Sequence, residues 1–122
     1  MLANLRLDDF IATCRGQLAG EVRTDPFTRA LYSTDASLYQ MMPYAVMIPR
    51  SADDVVATVS LAAAHELPVL ARAAGTSLAG QAVNEAVVID FSRHLDAILE
   101  INSEEGWARV QPGVVLDDMN RA

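Results

Sequence analysis

The chain has 122 residues, and its nine basic side chains, all Arg, stand against sixteen acidic ones, which gives a net charge of −7. This length holds one domain at most, so a complete multidomain enzyme is excluded. Nucleic acid is excluded as a partner because phosphate-backbone binding needs a clustered basic face, whereas a hydrophobic fraction of 52% is sufficient for a buried core.

Cysteine and histidine are scarce. The one Cys, Cys14, cannot form an internal disulfide, and together with two His it offers no metal-ligand spacing. These counts predict a chain without a metal site in the reducing cytoplasm. Acidic residues stand where a secretory leader is basic, and no apolar run reaches the roughly 18 residues of a spanning helix, so we expect no targeting or transmembrane segment.

The first predicted element is an amphipathic helix, which we assign to residues 1–20. Its apolar stripe has helical spacing and consists of Leu7, Phe10, Ile11, Cys14 and Leu18. Asp8 and Asp9 are expected to open the helix, and a Cys on this stripe is expected to be a small buried hydrophobe. Asp25-Pro26 then begins a short second helix, and residues 32–42 are expected to be irregular.

Two apolar runs, residues 44–48 and 68–71, enclose a third helix that Ser51 caps. The predicted buried face of that helix is Val55, Val56, Val59 and Ala63. Both runs are predicted to be buried strands, and such a strand–helix–strand unit places its strands parallel. A third apolar run follows at residues 86–91.

The last part of the chain predicts a hairpin and the start of a helix. Strands at residues 97–101 and 107–111 flank a turn that Gly106 closes. Residues 114–122 have a helical pattern without a C-terminal cap, so we expect the chain to be truncated there. The predicted fold class is α/β (α+β), with a small parallel sheet flanked by helices plus a β-hairpin, and residues 21–122 as one domain.

The loop at residues 71–81 has the most distinctive chemistry. Nearly all of its side chains are small, so its backbone N–H groups are accessible, and Thr76 and Ser77 add hydroxyl groups. Gly75 and Gly80 allow the main chain to approach a ligand closely. This combination is typical of a loop that binds phosphate or pyrophosphate without a Lys. A plain tight turn is the alternative.

Three motifs with fixed spacing do not match this loop. A triphosphate P-loop needs Lys after its second glycine, and Gln81 follows Gly80. A Rossmann fingerprint needs three glycines, and Gly75 alone has a matching offset. A hydrolase elbow needs glycines on both sides of its nucleophile, and Ala79 is the residue two positions after Ser77.

Five segments, taken in order, resemble the flavin-binding domain of the vanillyl-alcohol oxidase/PCMH family. They are residues 32–39, 46–55, 68–81, 87–92 and 110–114. The branch they resemble is that of the FAD-linked D-2-hydroxy-acid dehydrogenases, which includes D-lactate dehydrogenases, flavin-binding subunits of glycolate oxidase, and proteins fused to an iron–sulfur module. The resemblance implies that residues 21–122 are the first subdomain of a PCMH-type FAD-binding domain, whose second subdomain and cap domain belong to the parent chain.

The resemblance also implies a non-covalent FAD site, with residues 72–77 as the pyrophosphate loop. Thr76 stands where some relatives attach FAD through a His, so the cofactor is expected to dissociate. Ala73 stands where the family often has Gly, and its methyl group is tolerated if φ is negative. The implied FAD-binding residues are Pro49, Arg72, Ala73, Ala74, Gly75, Thr76, Ser77, Gly80, Gln81, Asp90, Ser92, Pro112 and Gly113.

By the same resemblance, the parent enzyme passes a hydride from a D-2-hydroxy acid to the flavin. No residue here is a candidate catalytic base, because His65 is expected to interact with a helix C-terminus and His94 to lie in a loop. We therefore expect the chain alone to be inactive. The alternatives are another flavin reaction on the same fold, such as the reductase that makes UDP-N-acetylmuramate or an alcohol or sugar oxidase, and a non-enzymatic interaction module. Apolar surface exposed by truncation is expected to favour self-association.

Overall fold

The computed structural model describes residues 2–78 and 80–122, with side chains from residue 5 onward. No helix in this part of the chain has the length and apolarity that crossing a membrane requires. In chain order the elements are α1 (Leu2–Gln17), β1 (Glu21–Arg23), α2 (Pro26–Leu31), β2 (Ala45–Ile48), α3 (Ala52–Ala64), β3 (Val69–Arg72), β4 (Val87–Asp90), β5 (Ile98–Asn102), β6 (Trp107–Val110) and α4 (Leu116–Arg121).

The first four strands form one sheet in the order β1-β2-β4-β3. β4 pairs in parallel with β2 on one side and with β3 on the other, so the predicted parallel orientation of the strands around α3 is confirmed. β2 and β3 are not neighbours, because β4 lies between them. β1 was not predicted, since three residues carry no pattern of their own, and it pairs antiparallel with β2.

The central strands carry the core. Every residue of β2 and β4 is buried, as continuous apolar runs in a sheet covered on both faces predict. β3 is the edge strand and alternates between exposed and half-buried residues, so the prediction of a buried strand was wrong there. Its position beyond β4 leaves only one neighbour to cover it.

The predicted stripe of α1 is confirmed, because Phe10, Ile11 and Cys14 are buried against α3 and the sheet. Burial raises the pKa of the Cys14 thiol to about 11, as expected of an unreactive core cysteine. The prediction that Asp8 and Asp9 open this helix was wrong, since α1 already begins at Leu2 and its first turn has no acidic residue. Leu, Ala and Arg in this first stretch have high helix propensity and extend the helix backwards. Residue 1 lies outside the described residues.

The caps of α2 and α3 are as predicted. Asp25 accepts a hydrogen bond from the Thr28 N–H at 2.9 Å, and this bond is the first cause that lowers the pKa of Asp25 to about 2. Ser51 accepts from the Asp54 N–H at 3.3 Å. Both bonds satisfy N–H groups that the first turn of a helix leaves free.

The predicted face of α3 was wrong in part. Val56, Val59 and Ala63 are exposed, and the buried residues are instead Asp54, Thr58 and Ala62. Asp54 turns inward because its carboxylate accepts from the N–H groups of residues 19, 20 and 50 at 3.1, 2.9 and 3.0 Å. Thr58 follows on the same face and donates to the Asp54 carbonyl oxygen at 2.7 Å. Two tertiary hydrogen bonds and one local bond to the same carboxylate therefore rotate the helix away from its most apolar face.

The hairpin is confirmed as a separate two-stranded sheet of β5 and β6. Gly106 closes its turn with φ +73°, a left-handed conformation that favours glycine. All residues of β6 are exposed, and the apolar side chains Leu99 and Ile101 of β5 are 57% and 48% exposed.

Candidate functional site

The loop that follows β3 begins where the parallel strands β2, β3 and β4 all end, which is the edge where open α/β sheets bind ligands. Among residues 2–78 and 80–122, no hydrogen bond is donated by any backbone N–H from residue 73 to residue 77. A run of exposed N–H groups without internal partners is suited to an anionic group. Ala79, part of the predicted loop, lies outside the described residues.

The middle of this loop has the shape that only glycine adopts at low cost. Gly75 has φ +70°, and a Cβ there would lie 2.9 Å from Cζ of Arg72. In the described part of the chain Glu66 is the only non-glycine residue with positive φ. Ala73 therefore has negative φ, and its methyl group is accommodated.

Arg72 turns its guanidinium under the loop. Its Nη1 donates to the carbonyl oxygens of Tyr32 at 3.3 Å and Ala82 at 3.2 Å. Its Cζ lies 5.1 Å from the centroid of the Tyr32 ring, within the range of a cation–π contact.

The segment at residues 32–39 packs against the outside of the loop. The Ala36 N–H donates to the Gly75 carbonyl oxygen at 3.1 Å, and Asp35 accepts from the Ala82 N–H at 3.3 Å. The Ser37 hydroxyl, ahead of the Ala82 N–H and the Arg72 charge, lowers the pKa of the Asp35 carboxyl. These contacts tie the loop to the 32–39 segment without using the N–H groups of residues 73–77.

Asp90 ends β4 in a buried polar group. Its carboxylate is 3% exposed and accepts from the Tyr32 hydroxyl and, at 2.7 and 2.6 Å, from the N–H and hydroxyl of Ser92. Burial, followed by the bond to Asp90, raises the pKa of Tyr32 to about 12. Tyr32 therefore stays protonated and remains a donor to Asp90.

Two open clefts meet at the loop, and both are lined by Ala73 and Ala74. The first, which we call the α2 cleft, has a volume of about 400 Å³. Its lining residues are Arg23, Phe27, Thr28, Leu31, Tyr32, Ile48, Arg72, Ala73, Ala74, Asp90, Ser92 and Arg93. The second, the Gly113 cleft, has about 370 Å³ and is lined by Ala73, Ala74, Thr76, Gly113, Val114, Val115, Leu116 and Asp117.

The charge of the α2 cleft contrasts with that of the whole chain. Three of the nine Arg residues line it, in a chain of net charge −7. Its one carboxylate, that of Asp90, is held by internal hydrogen bonds. Arg23 and Arg93 are also ion-paired with Glu21 and Asp25, which do not line the cleft, at 3.1 to 4.0 Å, so the cleft is less positive than its three Arg residues alone would make it.

The predicted site residues are thus partly brought together. Those that line a cleft are Arg72, Ala73, Ala74, Thr76, Asp90, Ser92 and Gly113. Pro49 is fully buried near Gly20, and Pro112 is exposed beside Gly113. Gly80 packs against the Tyr39 ring, while Ser77 and Gln81 continue the loop outside both linings.

Several residues at the site were not predicted as site residues. Tyr32 and Asp35 fix the loop, and Arg23 and Arg93 line the α2 cleft. The signal that pointed to the first two was the 32–39 segment, one of the five that carry the family resemblance. No local pattern pointed to the two Arg residues.

The two His residues lie away from the loop. His65 ends α3, as expected, and its Nδ1 and Nε2 lie 2.7 Å from the Leu61 carbonyl oxygen and 2.9 Å from Asp9. The Leu61 carbonyl, followed by Asp9, raises the pKa of His65. His94 is exposed in a turn. Over the described ranges, no three His, Cys, Asp or Glu side chains are grouped as metal ligands.

Comparison with known proteins identifies relatives of this chain. The family described as FAD binding domain matches residues 43–122. D-2-hydroxyglutarate dehydrogenase of Escherichia coli (strain K12) is 44% identical over 105 residues, which are 84% of this chain and 10% of that protein. Glycolate oxidase subunit GlcD of Bacillus subtilis (strain 168) is 40% identical over 96 residues, 77% of this chain and 20% of that protein.

Among solved structures, p-cresol methylhydroxylase with substrate bound has the same fold. Its TM-score is 0.81 at 19% identity, and the match covers 95% of this chain and 24% of that one. This chain therefore spans about a tenth to a fifth of the length of the curated relatives named above.

Proposed function

The chain belongs to the FAD-binding domain family, and from that membership we propose that it supplies the FAD-binding part of a dehydrogenase that oxidises a D-2-hydroxy acid. The proposed site rests mainly on the N–H groups of residues 73–77, which have no hydrogen-bond partner in the described chain. These residues lie between the two clefts. Pyrophosphate is a dianion that such donors bind without a basic side chain.

FAD would lie across this loop. Its pyrophosphate would accept hydrogen bonds from the amides of residues 73–76, with the hydroxyls of Thr76 and Ser77 as further donors. The adenosine half would occupy the α2 cleft. Ile48 lines this cleft, and the next residue, Pro49, is the one predicted to lie near the adenine. The riboflavin half would occupy the Gly113 cleft, with Pro112, Gly80 and Gln81 beyond its lining.

We propose that FAD is held without a covalent bond at this loop, because Thr76 offers no side chain of the kind that attaches flavin in some relatives. When bound, the flavin supplies the hydride acceptor. The residues of this chain bind and orient it, and the proton acceptor for the substrate hydroxyl belongs to another part of the parent protein. Alone, the chain would bind cofactor and have no turnover.

The substrate proposal rests on the relatives. Several are named D-2-hydroxyglutarate dehydrogenase and others glycolate oxidase subunit, so we propose a D-2-hydroxy acid, with D-2-hydroxyglutarate first. A second subdomain, a cap domain and an iron–sulfur module in the parent are parts of the same proposal. A cytoplasmic location is proposed with it, supported by the reduced and buried Cys14.

The exposed apolar face of the hairpin supports the existence of a covering partner. Leu99, Ile101 and Val110 are 57%, 48% and 37% exposed on strands that pair only with each other. A two-stranded hairpin is at best marginally stable in water, so an uncovered apolar face of this kind favours a further layer. We propose that the second subdomain of the parent chain covers it, and that the isolated chain self-associates there.

A cofactor titration tests the binding proposal. We expect FAD fluorescence to be quenched in a saturable way by the chain, with weaker binding of FMN, which lacks the pyrophosphate and adenosine. Gly75→Asp should abolish binding, because its side chain would displace the Arg72 guanidinium and change the shape of the loop. Gly106→Asp is the matched control, since Gly106 has a similar φ of +73° but lies in the hairpin turn.

A longer form of the protein separates weak binding from no binding. If it binds FAD where the chain alone does not, the missing contacts are responsible; if neither binds, the proposal is wrong. In the longer form, anaerobic addition of D-2-hydroxyglutarate should bleach the flavin absorbance. Bleaching by sugar nucleotides or alcohols, and not by hydroxy acids, would replace the substrate proposal with another flavin reaction.

A further inference from the structure

Arg72 is tied to four different parts of the site. It begins the loop, its Nη1 reaches the Ala82 carbonyl oxygen at the end of the loop, and its Cζ underlies Gly75 in the middle. The same Nη1 also bonds the carbonyl oxygen of Tyr32, and the guanidinium lies over the Tyr32 ring. These contacts take up one Nη nitrogen and one face of the guanidinium inside the protein.

The Tyr32 ring is itself held at its far end. Its hydroxyl donates to the Asp90 carboxylate, which Ser92 fixes through its N–H and hydroxyl. A chain of contacts thus runs from β4 through Asp90 and Tyr32 to Arg72, and from there to both ends of the loop. A planar guanidinium can donate hydrogen bonds in its plane and stack its flat face on a ring at once, whereas an ammonium group has no flat face to stack.

We propose that Arg72 and Tyr32 are positioning residues that hold the N–H groups of residues 73–77 in their FAD-binding arrangement before the cofactor arrives. This inference rests on the proposed function and deepens it, because it assigns Arg72 to the inside of the loop and not to the phosphates. Affinity then depends on the shape that the pair maintains and not on a charge that touches the ligand.

The alternative role for Arg72, a direct ion pair with the pyrophosphate, makes the opposite predictions. Lys at position 72 would keep much of the affinity, since it also binds phosphate as a point charge. Loss of the Tyr32 ring would then have little effect, because Tyr32 carries no charge. The two roles are therefore distinguished by replacing Arg72 with Lys and by removing the Tyr32 ring.

The test uses Arg72→Lys, Arg72→Met and Tyr32→Leu in the longest form of the protein. We expect each to weaken FAD binding by about tenfold or more, and the double variant Arg72→Met/Tyr32→Leu to be no weaker than the single ones within a factor of about two, as coupled residues behave. Tyr32→Phe keeps the ring but removes the hydroxyl that donates to the buried Asp90, so its effect on affinity should be smaller than that of Tyr32→Leu. Arg109→Met is the control, because Arg109 lies 5.8 Å over the Trp107 ring in the hairpin, far from the loop in sequence.

Amide hydrogen exchange without FAD supplies a second readout. The NMR signals of residues 73–77 should shift in the three single variants, and less in Tyr32→Phe. The Ala36 N–H, which donates to the Gly75 carbonyl oxygen at 3.1 Å, should exchange faster in the same variants. Unchanged loop signals in Arg72→Met and Tyr32→Leu, or wild-type affinity in Arg72→Lys, would overturn the proposal. If wild type fails to bind FAD, the proposed function fails, yet the exchange measurement still decides whether Arg72 and Tyr32 shape the loop.

Discussion

The four-stranded sheet and the two-stranded hairpin both contain apolar strands but differ in how much of these strands is covered. Every residue of β2 and β4 is buried, whereas β6 is exposed along its whole length. Helices α1 and α3 and neighbouring strands of the same chain cover the central strands of the sheet. No residue of the hairpin strands belongs to this core, as far as the described residues show. The first is a finished core, and the second is a surface suited to a further layer of protein.

The proposed FAD site lies between these two regions. The α2 cleft is lined by residues at the ends of the covered strands, whereas the Gly113 cleft is lined by residues that follow the hairpin. One half of the cofactor would therefore rest on a preformed framework. The other half would rest on a part of the chain whose own cover is incomplete.

The strongest test of this contrast is a matched pair of truncations to Ala. Met47, 1% exposed in β2, and Leu99, 57% exposed in β5, are both large apolar residues. Met47→Ala should cost about 2–5 kcal/mol of unfolding free energy, because it leaves a cavity. Leu99→Ala should change it by about 0.5 kcal/mol or less, as exposed substitutions do. Urea unfolding followed by circular dichroism measures both, and equal costs would mean that the hairpin is already packed.

A second pair compares glycines with the same backbone conformation. Gly75→Ala and Gly106→Ala should each cost about 1–2 kcal/mol of stability, because both force a side chain into the left-handed region. FAD affinity should fall only for Gly75→Ala, whose Cβ would displace the Arg72 guanidinium, while Gly106 has nothing within 4 Å of such a Cβ. Thermal unfolding and FAD titration of both variants measure this. Equal loss of FAD affinity in the two would argue against a special shape at Gly75.

A third prediction concerns association through the hairpin face. The double variant Leu99→Ser/Ile101→Ser should leave stability within about 0.5 kcal/mol, since both side chains are about half exposed or more. It should nevertheless lower the self-association of the isolated chain in sedimentation velocity. Val56→Ser on α3, 65% exposed, is the control on the opposite region. If self-association depends on Val56 instead, the surface responsible for it lies on α3.

The smallest expected effect is a pH dependence of the unfolding free energy that comes from His65 at the end of α3. The folded pKa of His65 is raised above 6.5, first by the Leu61 carbonyl and then by Asp9. Its contribution to stability is therefore fully present below pH 6.5 and lost as pH rises through the folded value. Wild type should exceed His65→Gln in unfolding free energy by more at pH 5.5 than at pH 8.5.

Asp9→Asn should narrow that difference, because it removes one of the two partners of His65. The bond to the Leu61 carbonyl at 2.7 Å remains in this variant. A wild-type advantage that grows with pH would contradict the sign of the shift. Denaturant unfolding at the two pH values decides between these outcomes.

The sequence was most informative where a local pattern also determines the tertiary role. The apolar runs of β2 and β4, the caps at Asp25 and Ser51, and the glycine of the hairpin turn are all of this kind. The inward face of α3 could not be predicted from a local pattern, because Asp54 is buried by N–H groups that lie 34 and 35 residues away in sequence. No periodicity within the helix carries that information.

The free N–H groups of the loop after β3 were predictable to a similar degree. Small residues after a strand indicated free N–H groups, and the N–H groups at residues 73–77 have no partner in the described chain. The direction of the Arg72 side chain was not predictable, since it depends on Tyr32, which lies 40 residues earlier. The contribution of Asp90 likewise depends on which strand ends next to β3.

The central place of β4 also sets an order for assembly of the chain. In the described part of the chain β2 and β3 do not pair with each other, so β3 joins the sheet only through β4. As the chain leaves the ribosome, residues 69–72 must wait for residues 87–90, and the loop between them closes in the same step. Val69 and Val87 pair across 18 residues of sequence, and Ala45 and Val87 across 42, so this loop closes in the more local of the two parallel pairings, which costs less loop-closure entropy.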